Sequence, residues 1–274
     1  MKTHVHFSSG RSHSLVAFAF VGACVASPGD DPALGDASSQ AADLSRAPAA
    51  WGVPDPAITL EDLVPFAPGA EWHYLDKSAT KPEHELVKAM GGCSTLTKED
   101  CVTGAAKTYD VAIQVTPGDP DEPEDGEDDT SYALTPDGLV RVVEAGVAKD
   151  GTVLRTDSYS PPFLRVIAPP YVPGRTVMVE HERCRCEGGT CGQSTLKFRH
   201  TVLGSATVTV PAGTFQAVVF ERVNLISGER KRLWYAPGVG KVLEEELRED
   251  DVLLGSEALL SHEPGGTSCW TPER

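Results

Sequence analysis

Cationic residues are scarce in this 274-residue sequence. Lys and Arg together number 24 against 40 Asp and Glu, so the formal net charge at pH 7 is -16. Nucleic acids and anionic membrane surfaces are bound through cationic patches, and no local cluster of Lys or Arg offsets the deficit. The composition therefore argues against nucleic acid, and against anionic lipid headgroups, as partners.

Catalytic signatures are also missing. The sequence has no Gly-x-Ser-x-Gly elbow, no His-Glu-x-x-His metal helix, and no Walker or dinucleotide-binding glycine loop. Glu244 and Glu246 would share a strand face, but such pairs arise by chance in so acidic a chain. We expect no enzymatic activity and no cofactor, with an unrecognised hydrolase as an alternative. The scattered histidines are predicted to be surface or strand residues rather than bases: His73, His84, His181, His200 and His262.

The N-terminus is the most informative segment that is present. Lys2 and Arg11 precede an apolar run at 15–23, which ends at Cys24. A charged head followed by an apolar stretch too short to span a bilayer is typical of a cleaved secretory signal peptide, residues 1–23. Cleavage would remove two cations and no acid, taking the net charge from -16 to -18.

The end of this run resembles the lipobox of bacterial lipoproteins. It reads Val21-Gly-Ala-Cys24, and the resemblance implies that Cys24 is acylated and becomes the first residue of the mature chain. Each buried methylene of an acyl chain contributes about 0.8 kcal/mol, so several chains would form a near-permanent anchor. Because Val25 is not Asp, the resemblance also implies outer-membrane localisation in a host with two membranes.

The remaining chain is predicted to have two parts. Residues 24–57 are rich in Ala, Ser, Asp and Pro without helical or strand periodicity, which is typical of a disordered tether with a reach of roughly 30 Å. Residues 58–274 are predicted to form a β-rich globular domain that begins with a short helical turn near 58–63. An acidic loop at 117–130 is interpreted as solvated; calcium binding is the other reading, although Pro123 interrupts an EF-hand register.

Alternating apolar residues predict strands throughout this domain. At 109–115, for example, Tyr109, Val111, Ile113 and Val115 share one face. Gly and Pro punctuate most of the gaps, and no gap contains a long amphipathic helix. The expected fold is all-β, an antiparallel meander curled into a barrel or half-barrel. The further candidate strands are 71–75, 83–88, 139–144, 175–182, 195–203, 206–210, 214–223, 230–235, 241–247 and 252–261.

Six cysteines remain once Cys24 is assigned to lipid, an even number that can pair completely in an oxidising compartment. Six cysteines allow 15 connectivities, so the sequence does not determine the pairing. Proximity favours Cys93 with Cys101, leaving Cys269 to tie the C-terminus to the 184–191 region. The disulfide candidates are Cys93, Cys101, Cys184, Cys186, Cys191 and Cys269.

A metal site is the weaker alternative for part of this set. His181, Cys184, Cys186 and Cys191 supply one imidazole and three thiols within eleven residues, which is enough for tetrahedral zinc. Two of the thiols are separated by only one residue, and the sequence lacks the second pair of ligands that zinc ribbons and fingers usually have. Disulfides are therefore preferred in an exported chain.

Three segments resemble uncharacterised bacterial lipoprotein and periplasmic β-domains. Segment 208–217 contains Val-Pro-Ala-Gly-Thr-Phe, segment 233–245 contains Tyr-Ala-Pro-Gly-Val-Gly, and segment 65–74 opens the domain with Pro-Phe-Ala-Pro-Gly-Ala-Glu-Trp-His-Tyr. The family has an apolar residue where this chain has Lys241, so this strand start is expected to be more exposed than usual. The resemblance implies a fold rather than an activity.

The motif residues themselves are predicted to be structural. Gly213, Gly238 and Gly240 are expected to supply positive φ angles in turns. The large aromatic side chains are interpreted as core anchors rather than as a ligand box: Phe66, Trp72, Phe215, Trp234 and Tyr235.

Together these observations predict a membrane-anchored, exported lipoprotein. It is expected to act as a non-enzymatic binding or structural module of the cell envelope, with an unidentified envelope protein as partner. The first alternative is a β-barrel carrier of a lipid or other apolar ligand, which requires a sizeable apolar pocket.

Overall fold

The computed structural model describes residues 51–78, 82–118 and 126–270. The signal peptide, Cys24 and most of the predicted tether therefore lie outside the described residues, as do positions 119–125 of the acidic loop. Gly52, at the end of the predicted tether, exchanges two 2.8 Å backbone hydrogen bonds with Ser205. Residue 52, which was assigned to the tether, therefore already contacts the barrel.

Twelve antiparallel strands form a closed barrel in which each strand pairs with its neighbours in sequence, and β1 pairs with β12. This confirms the all-β prediction. The elements are α1 (Leu60–Leu63), β1 (Glu71–Ser78), β2 (His84–Glu99), β3 (Ala106–Pro117), β4 (Glu127–Thr135), β5 (Gly138–Val147), β6 (Val153–Ile167), β7 (Thr176–Glu187), β8 (Thr190–Val210), β9 (Gly213–Asn224), β10 (Arg230–Ala236), β11 (Gly240–Leu247) and β12 (Leu253–Glu263).

The short helix α1 is where the sequence predicts a turn. Thr59 caps it: its hydroxyl accepts the amide hydrogen of Asp62, and the Asp62 carboxylate accepts the amide hydrogen of Thr59. Among the described residues, no helix has the length and apolar character needed to cross a membrane.

Two strands were not predicted. β4 begins at Glu127, so residues 127–130 of the predicted acidic loop are strand, paired with β3 and β5. β6 contains Pro161 and Pro162, which cannot donate to a ladder; they fall where the pairing with β5 shifts register. The predicted strands 195–203 and 206–210 are one strand, β8, with a bulge between Val202 and Gly204.

The resembling segments contact each other in space. Trp72 donates its indole hydrogen to the carbonyl of Val239 at 2.6 Å, and the Tyr74 hydroxyl donates to the carbonyl of Lys241 at 2.9 Å. The turn at Gly240 has φ +97°, and a Cβ there would lie 3.3 Å from the Trp72 indole nitrogen. Close packing between the start of the domain and its last third therefore depends on these motifs.

The predictions for the motif glycines and for the aromatic side chains are also confirmed in the described chain. Gly213 and Gly238 have φ angles of +137° and +75°. Phe215 is half-buried and packs against the core, whereas the other four predicted aromatic anchors are buried in it.

All six candidate cysteines form disulfides, but the predicted pairing of Cys93 with Cys101 is wrong. Cys93 bonds Cys269, Cys101 bonds Cys184, and the third bridge joins Cys186 to Cys191. Cys93 lies inside β2, and the extended strand carries the chain away at about 3.3 Å per residue, which separates it from Cys101. Cys269 likewise does not bond the 184–191 region.

Candidate functional site

The zinc alternative is not supported by this geometry. Sulfurs held in disulfides are not the thiolates that zinc requires, and all three candidate thiols are bonded. His181 is completely buried, and its Nδ1 lies 3.0 Å from the carbonyl oxygen of Pro161. Within the described ranges, no group of three or more His, Cys, Asp or Glu side chains is placed to hold a metal ion.

Four strands of the barrel contribute to a network of partly buried ion pairs. Lys241 Nζ lies 2.6 Å from carboxylate oxygens of both Glu244 and Glu257. Lys88 Nζ lies 2.6 Å from Glu257, and Lys231 Nζ lies 3.1 Å from Glu244. Strands β2, β10, β11 and β12 thus contribute to one network.

The strand start at Lys241 was predicted to be more exposed than usual, and this prediction is wrong. Its side chain is only 10% exposed and contacts two carboxylates, those of Glu244 and Glu257. Glu244 and Glu246 also differ from each other: Glu244 is 6% exposed and belongs to the network, whereas the Glu246 side chain is 41% exposed. The pairing of these charges depends on barrel closure.

At most members of this network, the attraction of opposite charges shifts the pKa more than burial does. Burial alone would raise the pKa of Glu257, but Lys241 and Lys88 lower it to about 2. The pKa of Glu244 is likewise held well below its usual value, mainly by Lys241, against the effect of burial. At Lys88 burial prevails and lowers the pKa to about 8, although Glu257 opposes it. Both carboxylates are therefore ionised at neutral pH.

An open cleft of about 700 Å³ borders this network at the ends of β1 and β2. Carboxylates outnumber lysines along it, and the network residues Glu244 and Glu257 form part of its wall. The other charged residues that line the cleft are Asp76, Lys77, His84, Glu85, Asp128, Lys231 and Glu246.

A smaller cavity of about 50 Å³ borders the same ion pairs. Lys88 and Lys241 line it, and so does Arg165 from β6. Its remaining walls include the aromatic residues Phe66, Trp72, Tyr74, Tyr132 and Tyr235. The cavity is therefore cationic and aromatic, although the chain as a whole is strongly acidic.

Three guanidinium groups surround the ring of Phe163. Those of Arg141, Arg165 and Arg222 lie 5.0, 5.9 and 5.4 Å from its centroid. Arg141 donates to the Glu144 carboxylate and, at 2.7 Å, to the Tyr159 hydroxyl. The cation–π contacts place three positive charges around one ring in the interior.

A second acidic centre was missed by sequence reasoning. The Asp157 carboxylate is almost fully buried and accepts hydrogen bonds from Arg183 at 2.7 Å and Arg185 at 2.9 Å, while Arg155 lies 3.4 Å away. Burial would raise its pKa, but Arg185 and Arg183 lower it to about 2. This centre ties β6 to β7 beside the bridge at Cys184.

One histidine, His84, lines the cleft among the described residues. Its Nε2 lies 3.5 Å from Asp76, and its Nδ1 lies 3.4 Å from the carbonyl oxygen of Pro82, so both ring nitrogens face acceptors. The walls of the cleft also include the apolar residues Leu86, Val87 and Leu254.

No family model matches this chain, and no curated protein matches it. Two solved structures do. One is a candidate lipoprotein from Parabacteroides distasonis, with 14% identity, a TM-score of 0.43, and coverage of 72% of this chain and 96% of the other. The second is a candidate exported protein with a YmcC-like fold from Bacteroides fragilis, with 15% identity, a TM-score of 0.42, and coverage of 78% and 99%. At these TM-scores the chain is similar to them only in outline.

Proposed function

We propose that this protein is an exported lipoprotein, anchored in the membrane through Cys24, that acts as a non-enzymatic binding module of the cell envelope. The observation that carries the proposal is the use of all six cysteines beyond Cys24 in disulfides. Such complete pairing is typical of oxidising compartments. The seventh cysteine, Cys24, follows the apolar run of the export signal and stands where a lipobox would be acylated.

The binding role is supported by the charged cleft. A cleft of about 700 Å³ lies within the usual size of small-ligand sites, and its carboxylates suit a polar, cation-bearing ligand or the basic surface of an envelope protein. The ion pairs of Glu244 and Glu257 fix that wall of the cleft. In a host with two membranes, we place the protein in the outer one, because Val25 is not Asp.

The anchor is tested by Cys24→Ser. We expect the variant to move from the membrane fraction to the soluble fraction while its barrel stays folded, because the substitution removes the acylated sulfur without touching the barrel. Fractionation and intact mass measure this. The wild-type mass should begin at Cys24, include acyl chains, and rise by two hydrogens for each disulfide on reduction.

Ser27→Ala is the matched control, since it lies three residues further along the chain and leaves the sulfur in place. It should stay in the membrane fraction. Retention of Cys24→Ser in the membrane fraction, or an unacylated wild-type mass, would refute the lipoprotein proposal.

A further inference from the structure

The β2–β3 hairpin continues past its neighbouring strands as an arm, residues 93–110. β1 pairs with β2 only up to Ala89, and β4 pairs with β3 only from Ala112 onward, so the two strands of the arm pair with each other and with no other described strand. A ribbon of two strands is only marginally stable in water by itself. The arm therefore depends on its contacts with the rest of the barrel.

Few side chains hold this arm in place. Most of its residues are exposed, and none is fully buried. Leu96 and Tyr109 are half-buried and pack against the core. Apart from these two, the arm is joined to the barrel through polar and covalent contacts. A segment with so few buried apolar contacts opens more readily than the rest of a fold.

The tip of the arm lies against an interruption in the β5–β6 ladder. β6 has four residues there without a partner on β5, and Tyr159 and Ser160 are the first two. Lys98 Nζ donates to the carbonyl of Tyr159 at 2.8 Å and to that of Val142, on β5, at 3.4 Å. The Asp100 carboxylate accepts a hydrogen bond from the Ser160 hydroxyl. The arm thus bonds both strands where they do not bond each other, and burial there lowers the pKa of Lys98 to about 8.

A disulfide locks the tip in this position. Cys101, in the turn of the arm, is bonded to Cys184 of β7, and the Gln193 amide of β8 donates to the Cys101 carbonyl at 3.3 Å. β7 is not adjacent to β2 or β3 in the strand order, so this bridge joins parts of the sheet that no ladder connects. Without the bridge, the tip is left with the hydrogen bonds of Lys98, Asp100 and Gln193.

The other two bridges join cysteines that the fold brings together without them. Cys186 and Cys191 are directly opposite each other in the β7–β8 ladder. Cys269, the partner of Cys93, lies in a segment whose backbone is fixed to the start of the domain, because its amide donates to the Phe66 carbonyl at 2.8 Å. A disulfide resists reduction more strongly when the reduced fold holds its two thiols at a higher effective concentration.

We propose that the Cys101–Cys184 bridge is a redox-controlled latch, which a dithiol reductant opens to release the arm from β5 and β6. One thiolate of the reductant attacks a sulfur of the bridge, the Cys101–Cys184 bond breaks, and a mixed disulfide forms while the other sulfur takes up a proton. The second thiol of the reductant then displaces the remaining cysteine. The protein gains two electrons and two protons, and the reductant ends as a disulfide.

Opening the latch changes one part of the barrel wall. The carbonyls of Val142 and Tyr159 lose their Lys98 donor, and the interruption between β5 and β6 becomes open to solvent. The latch goes beyond the proposed binding role, since it involves neither Cys24 nor the acidic cleft. The outcome of the anchor test therefore has no bearing on it.

A redox titration of the full, oxidised chain tests the order of reduction. The protein is equilibrated with increasing ratios of reduced to oxidised dithiothreitol, quenched in acid and alkylated, and the modified cysteines are identified by peptide mass. We expect Cys101 and Cys184 to be half reduced at a ratio at least about tenfold lower than the other four cysteines. Equal ratios for all three bridges, or earlier opening of another bridge, would overturn the proposal.

Limited trypsin digestion tests the release of the arm. Lys98 is held against two carbonyls in the latched protein, and cleavage after it requires the arm to leave them. The double variant Cys101→Ser, Cys184→Ser should be cleaved after Lys98 at least about tenfold faster than the oxidised wild type. The matched control is Cys186→Ser, Cys191→Ser, which removes another bridge of β7 and should be cleaved as slowly as the wild type.

Both double variants are first checked for the wild-type fold by circular dichroism. If the latch variant does not fold, its place is taken by wild-type protein that has been reduced at the ratio opening only this bridge and then alkylated. Unchanged cleavage after Lys98 when Cys101–Cys184 is open would contradict the latch. Equal acceleration in the control variant would contradict it as well, because the effect would then belong to any lost disulfide of β7.

Discussion

Removing the Cys93–Cys269 disulfide with a double Ser substitution is expected to lower the free energy of unfolding by about 5 kcal/mol. The bridge joins residues 176 positions apart, and the loss of chain entropy that a cross-link imposes on the unfolded state grows with the logarithm of that separation. It also connects the middle of β2 to the C-terminal segment, which packs on the core through Trp270. Urea denaturation of the oxidised proteins, followed by circular dichroism, measures the change.

The Cys186–Cys191 bridge is the matched control, because it closes only a short turn between β7 and β8, with a separation of 5. The same entropy relation gives about 2 kcal/mol for its removal. Equal losses for the two double variants would show that loop length does not control the stabilisation, and would contradict the interpretation.

These pairings illustrate what the sequence could not predict. The even cysteine count indicated complete oxidation, and that is what the structure has. Which cysteine meets which depends on where β2 ends and on how the barrel brings the C-terminal segment back to it. Sequence proximity favoured Cys93 with Cys101, but a strand extends between them. Disulfide partners are set by the tertiary fold.

The strands were predictable where one face is polar and the turns are marked. Strand β10 and strand β11 flank a Pro-Gly turn, and both were found. β4 begins with three acids, Glu127, Asp128 and Asp129, whose composition is that of a loop, although Asp128 contacts Arg155 of β6. β6 contains two prolines, which the ladder tolerates at a register shift.

The charged interior was the least predictable feature. Arg165 and Lys241 are single charges within or beside apolar runs of their strands, and a lone charge of this kind is normally expected in solvent. Only closure of the twelve strands turns that face inward. Sequence periodicity shows that two residues share a face, but it does not show whether the face is the outside or the inside of a barrel.

Replacing Lys241 with Met is expected to destabilise the protein by about 3 kcal/mol at pH 7. The change leaves Glu244 and Glu257 ionised in the interior with only Lys231 and Lys88 as partners, and breaking a buried ion pair by removing one member typically costs 3–5 kcal/mol. The remaining lysines place the expected loss at the lower end of that range. Urea denaturation at several pH values measures it.

The pH dependence distinguishes lost charge pairing from lost packing. In the wild type the pKa of Glu257 is about 2, below its unfolded value of 4.5, so its contribution to stability is present above pH 4.5 and is lost as the pH falls through 2. Without Lys241 the pKa of both carboxylates rises, so they become protonated at a higher pH than in the wild type. The gap in stability between wild type and variant should therefore narrow between pH 5 and pH 2.

Lys197→Met provides the control for this comparison. Lys197 pairs with Glu180 at 2.7 Å, but both side chains are at least half exposed, and surface pairs of this kind contribute roughly 0–1 kcal/mol. Its loss of stability should stay below about 1 kcal/mol at every pH. A deficit in Lys241→Met that is independent of pH would indicate lost packing, and a deficit no larger than that of Lys197→Met would mean that the buried network does not stabilise the barrel.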